Sequence, residues 1–177
     1  MPKMSLARQG GLSLPVVLTF AAFFMFGLIY AQRVTLAKQA EFRFQKSVTQ
    51  ADRLLSALDK FYQSECWKGD GVLPALSGVD TLYSMGYVTT QKWINPLNAG
   101  AGYSVSIDRS GDTAVMVVST TYRDSMTAKR IAGLAKSKMS SSVSGSAVTF
   151  TRPTAGASSV DYWADVENDT FVSNPCR

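Results

Sequence analysis

Hydrophobic and polar positions along this chain change their period twice. Residues 12–31 contain no charged side chain. At about 1.5 Å of rise per residue, such a run is roughly 30 Å of helix, the thickness of a bilayer's hydrocarbon core. From Ala31 to about Tyr62 there is neither glycine nor proline. Apolar or small residues recur there at Val34, Ala37, Phe44, Val48, Ala51, Leu55, Leu58 and Tyr62, with Glu41 interrupting the series. Alternating steps of three and four predict an amphipathic helix that continues the apolar one. The expectation is one helix over residues 12 to about 64, about 80 Å long, whose second half packs under a sheet of the same chain.

Beyond Cys66 the helical period ends. "WKGDGVLPALSGVD" reads as loop, and "VDTLYSMG" as a short helical turn with Asp80 as N-cap and Gly86 as its stop. "INPLNAGAG" supplies turn residues up to Gly102. Tyr103, Val105 and Ile107 then alternate with Ser104, Ser106 and Asp108. A turn at Arg-Ser-Gly-Asp and the more apolar "TAVMVVST" complete a predicted hairpin. "SMTAKRIAGLAKSKM" predicts a short helix anchored by Met126, Ile131 and Leu134, with Gly133 as a weakness. "GSAVTFT" and "SSVDYWAD" are further strand candidates, and the serine-rich "SKMSSSVSGS" and "RPTAGASS" read as loops. The fold class expected is α+β: a long helix, transmembrane and then amphipathic, packed on a small antiparallel β-sheet.

Charge gives the apolar run a direction. Lys3 and Arg8 precede it with no acid among residues 1–11, so the positive-inside rule leaves the N-terminus in the cytoplasm and exports the remainder. A cleaved secretory leader fits less well, because the run exceeds the usual apolar length of about 7 to 15 residues and Ile29-Tyr30-Ala31 is a poor cleavage site. The two cysteines, Cys66 and Cys176, read as a disulfide in an exported domain. Closing so long a loop constrains the unfolded chain by roughly 4 to 5 kcal/mol at most in the entropic model. The formal charge of +5 falls to +3 without residues 1–11, so any electrostatic function must rest on local clustering.

A short basic leader ending in glycine, an apolar helix, an amphipathic extension and a small antiparallel sheet, in that order, resemble type IV pilins and the pseudopilins of type II secretion. "RQGGLSLPVVLTF" carries one part of the resemblance. "LPALSGVDTLYSMGYVTTQKWINPLNAGAGYSVSI", with its short helix, Gly-Tyr, Asn-Pro turn and strand opening on tyrosine, carries the other. The resemblance implies a leader over residues 1–11 and prepilin peptidase cleavage between Gly11 and Leu12, or after Gly10, with methylation of the new N-terminus. It further implies a transmembrane half over 12–31, an amphipathic half over 32–65 and a β-rich domain over 66–177 in the periplasm. Its partners are other pilin or pseudopilin subunits, prepilin peptidase and the inner membrane, and its place is an extracellular pilus when assembled. Family members usually carry a glutamate five residues into the mature chain. Here Val16 stands at that place, or Pro15 after the earlier cut, which implies a minor subunit that primes, caps or decorates the fibre. Pro15 itself is compatible with the first turn of a helix. An uncleaved single-pass anchor is the plainer alternative.

No constellation for catalysis is visible. Histidine is absent, and neither G-x-S-x-G nor S-x-x-K occurs. The reading is a non-enzyme with no cofactor. Asp108 and Asp112 flank a turn, and "DVENDT" at residues 165–170 lacks the spacing of a calcium loop. Trp67, Trp93 and Trp163 read as core or loop anchors. Residues 123–138 are the exception to the even charge, holding Arg123, Lys129, Arg130, Lys136 and Lys138 against one acid, Asp124. They suggest a second function, a membrane-anchored or pilus-borne adhesin or DNA receptor that contacts DNA or a surface polyanion. The opposing reading is a solvated helix face, and no aromatic residue is interleaved for stacking on bases.

Overall fold

A computed structural model of the chain describes residues 14–67, 73–111 and 113–154. The chain divides into two compact units, Met1–Glu41 and Phe42–Arg177. Helix α1, Leu14–Trp67, contributes to both. In the first unit its residues are exposed almost throughout, with Phe20, Phe23, Phe24 and Phe26 at 69–72 %. Such a surface is stable only in an apolar medium or against partners.

In the second unit α1 lies on a five-stranded antiparallel sheet of order β1-β2-β3-β5-β4. The strands are β1 (Ile94–Asn95), β2 (Asn98–Asp108), β3 (Val115–Thr121), β4 (Ser140–Ser144) and β5 (Ala147–Pro153). Helices α2 (Val79–Ser84) and α3 (Ser125–Ala135) complete it. The helix stripe read from spacing is buried at Val48, Ala51, Leu55, Leu58 and Tyr62. Leu54, Ala57, Phe61 and Cys66 widen it, because the sheet contacts a broader arc than one residue per turn. From the sheet, Val105, Val118 and Phe150 form one row across β2, β3 and β5. All three are buried in the same core as α1 and Ile131 of α3.

Four expectations need correction. β2 opens at Asn98, five residues before Tyr103, although Asn98 to Gly102 are poor strand formers. Tertiary bonds explain it: the amides of Asn95 and Asn98 each donate to the Thr121 carbonyl at 3.1 Å, tying this segment to β3. Ser140–Ser144 is strand β4 and not loop, held by its register on β5, with Ser141 Oγ also donating to the Ala132 carbonyl at 3.0 Å. Arg152 and Pro153, placed in a loop by sequence, end β5. The N-cap of α2 is Gly78, not Asp80; Ser77 Oγ lies 2.7 Å from Thr81 Oγ1 there, and Asp80 falls inside the first turn. Gly86 does end this helix, at φ +80° with its N–H on the Tyr83 carbonyl.

Helix α3 is where predicted, but its anchors differ. Ile131 is buried, whereas Met126 is 80 % exposed and Leu134 lies at the surface. Ala128, Ala132 and Ala135 make the contacts, because small side chains allow the helix to lie close to β4 and β5. Its N-cap, Asp124, accepts from the Thr127 backbone N–H at 2.7 Å, and this bond draws its carboxyl below the usual range. The strand candidate "SSVDYWAD" and "DVENDT" lie outside the described residues, as does Asp112. Asp108 does perform turn chemistry, accepting from the Ser110 N–H at 3.0 Å and its hydroxyl at 2.7 Å.

Candidate functional site

The first candidate surface is the apolar half of α1. It is long and apolar enough to cross a membrane. Thr19 is the single hydroxyl of residues 14–29, and it donates to the Pro15 carbonyl at 2.8 Å. A polar group inside hydrocarbon must find such an internal partner, so this residue costs little there. Pro15 sits in the first turn, where its missing N–H breaks no helical bond. Gly11 and Leu12 lie outside the described residues.

The second candidate, the basic segment, does not form one patch. Arg123, Lys129, Arg130, Lys136 and Lys138 are all exposed. At about 100° per residue, Lys129 and Lys136 share one flank of α3, while Arg130 points about 100° away. Its guanidinium lies 4.4 Å from the centre of the Phe44 ring of α1, a cation–π contact that holds α3 on the long helix. Arg123 precedes the helix and Lys138 follows it. Cys66 is buried in the last turn of α1, and Cys176 lies outside the described residues.

Sequence reasoning missed a buried hydroxyl cluster. Ser47 of α1 is fully buried, with its Oγ 2.7 Å from Tyr122 Oη and 3.1 Å from Tyr103 Oη. A serine beside Val48 on an otherwise apolar stripe was the available signal. Burial pushes the Tyr103 hydroxyl up to about 12 and raises that of Tyr122 as well, partly offset in each by the bond to Ser47. Both phenols therefore keep their protons at neutral pH and act as hydrogen-bonding groups, not as bases. A polar pin of this kind fixes the rotation of α1 on β2 and the end of β3.

The sign of the resulting pH dependence follows from linkage. A tyrosine whose folded pKa lies above its unfolded value of about 10 stabilises the fold below that pH and loses the contribution as pH rises toward the folded value. The melting temperature of the full chain in detergent is expected to fall between about pH 10 and pH 12. Tyr103→Phe should flatten that slope; an unchanged slope would assign it to other groups.

Tyrosine and acid side chains elsewhere fasten α1 to its domain. Arg152 pairs with Asp52, Thr154 Oγ1 donates to Asp59 at 2.7 Å, and the Tyr87 hydroxyl donates to Glu65 at 2.7 Å. No group of three or more metal-ligating side chains occurs among the described residues. Comparisons with protein-family profiles, with curated proteins and with solved structures find no match.

Proposed function

We propose that this chain is a minor subunit of a pilin-like or pseudopilin-like fibre, made as a membrane-inserted precursor and assembled through its long helix. One observation carries the reading: α1 exposes an uncharged apolar half and buries the other half under an antiparallel sheet. An anchor alone would need only the first half. A domain core alone would need only the second. The layout supports a membrane-held precursor whose apolar helix half can move from lipid to the helices of neighbouring subunits.

In this reading Gly11-Leu12 is the processing junction, the domain is periplasmic before assembly, and Cys66 and Cys176 close a disulfide. Val16 supports the minor role, since it offers no carboxylate to a neighbouring N-terminal amine in a medium where an unpaired charge is costly. The work of the subunit is to prime, cap or decorate the fibre. The deciding measurement is the mass and N-terminal residue of the protein purified from membranes. A methylated N-terminus at Leu12 is expected; Met1 would make it a plain anchor, and Gln32 would indicate a secretory leader.

A further inference from the structure

The outward face of α1 in the second unit carries charges sorted by sign. Asp52, Asp59 and Glu65 are engaged by Arg152, Thr154 and Tyr87. Lys46, Arg53 and Lys60 are exposed, and none forms an ion pair among the described residues. Spaced by seven residues, these three cations lie within about 20° of one another per step and about 10.5 Å apart along the helix. Lys92 and Trp93, from the segment before β1, stand beside Lys46, Arg53 and Phe42 to line a groove of about 460 Å³. Among the described residues no acid lines that groove, and Phe42 is 67 % exposed.

From this geometry we infer that the Lys46–Arg53–Lys60 line, flanked by Lys92 and by Phe42 and Trp93, is a docking face for an acidic amphipathic helix of a different subunit. The inference rests on the proposed role as an assembled subunit and names the chemistry of its neighbour. A repeat of seven is the spacing at which a second helix lying alongside presents one face, so carboxylates at the same interval meet the cations in register. Exposed Phe42 and the open part of half-buried Trp93, beside arginine, supply the apolar anchors of such an interface. A second copy of this chain is disfavoured as occupant, because it presents cations at the same positions and like charges in register repel. The surface therefore favours mixed assembly over self-assembly.

The test uses the full chain in zwitterionic nanodiscs and a fluorescein-labelled helical peptide of four heptads with one glutamate per heptad on a single face. Anisotropy should report salt-sensitive binding, weakened about tenfold or more by Lys46→Glu/Arg53→Glu and unchanged by Lys129→Gln/Lys136→Gln. The reversed variant should instead bind a peptide with lysine at the heptad positions, an exchange that loss of folding cannot produce. Equal binding of a peptide with the same glutamates scattered around the helix would overturn the proposal. So would tighter, Lys46-dependent binding of single-stranded oligothymidylate, which would assign the face to nucleic acid. The N-terminal mass of the same preparation is independent of these results, so failure of the processing reading is distinguishable from failure of this one.

Discussion

Phe61→Ala is expected to lower the unfolding free energy of the domain by about 3 to 5 kcal/mol, the range for removing a fully buried phenylalanine. Phe61 has no exposed surface, and its ring meets that of Tyr87 edge-on with centroids 5.5 Å apart. The substitution thus removes apolar burial, opens a cavity under the sheet and loses a favourable aromatic pair. A domain of ordinary stability has only about 5 to 15 kcal/mol in total, so the variant should sit near its folding threshold. Urea unfolding of the full chain in detergent, followed by tryptophan fluorescence, measures the loss. Phe61→Leu, which retains most of the volume, should cost less than about 1.5 kcal/mol. A loss below about 1 kcal/mol for the alanine variant would mean that α1 is not the floor of this core.

The second large effect is all-or-none. Gly11→Val should abolish processing in cells that contain a prepilin peptidase, leaving a single species that begins at Met1. A glycine at a cleavage junction leaves the backbone accessible without a Cβ, and a β-branched side chain obstructs that approach. Gly10→Val should be processed normally if the cut follows Gly11. The reverse result would move the junction by one residue. An unsubstituted chain that itself begins at Met1 in such cells would remove the pilin-like reading and leave a plain anchor, while membrane insertion itself, set by the run after Leu12, should be unaffected by either change.

Much of this fold was legible because its main signals are periodic. A helix stripe and an alternating hairpin announce which faces are buried without knowledge of the partner. Elements whose stability comes from partners were not legible. The serines of β4 have no strand propensity of note, and only the ladder to β5 makes them a strand. Met126 looked like an anchor because it is large and apolar, yet the close approach of α3 selects alanines. The same limit applies to candidate surfaces. Arg123 to Lys138 are neighbours in sequence but are divided by helical rotation and by the stacking of Arg130 on Phe44. The groove beside α1 shows the converse, since Arg53 and Lys92 are distant in sequence and become neighbours only through the fold.

The two ends of the sheet have a consequence for behaviour at high concentration. Among the described residues one border is β4, short and composed almost wholly of serine, while at the other β1 covers only the Asn98–Gly102 stretch of β2 and leaves Tyr103–Asp108 paired with β3 alone. A short serine border offers a poor template for pairing with strands of another molecule, whereas an alternating one of six residues offers a better one. The hazard of β-type aggregation at high concentration therefore lies on the β2 side of the sheet and not on β4.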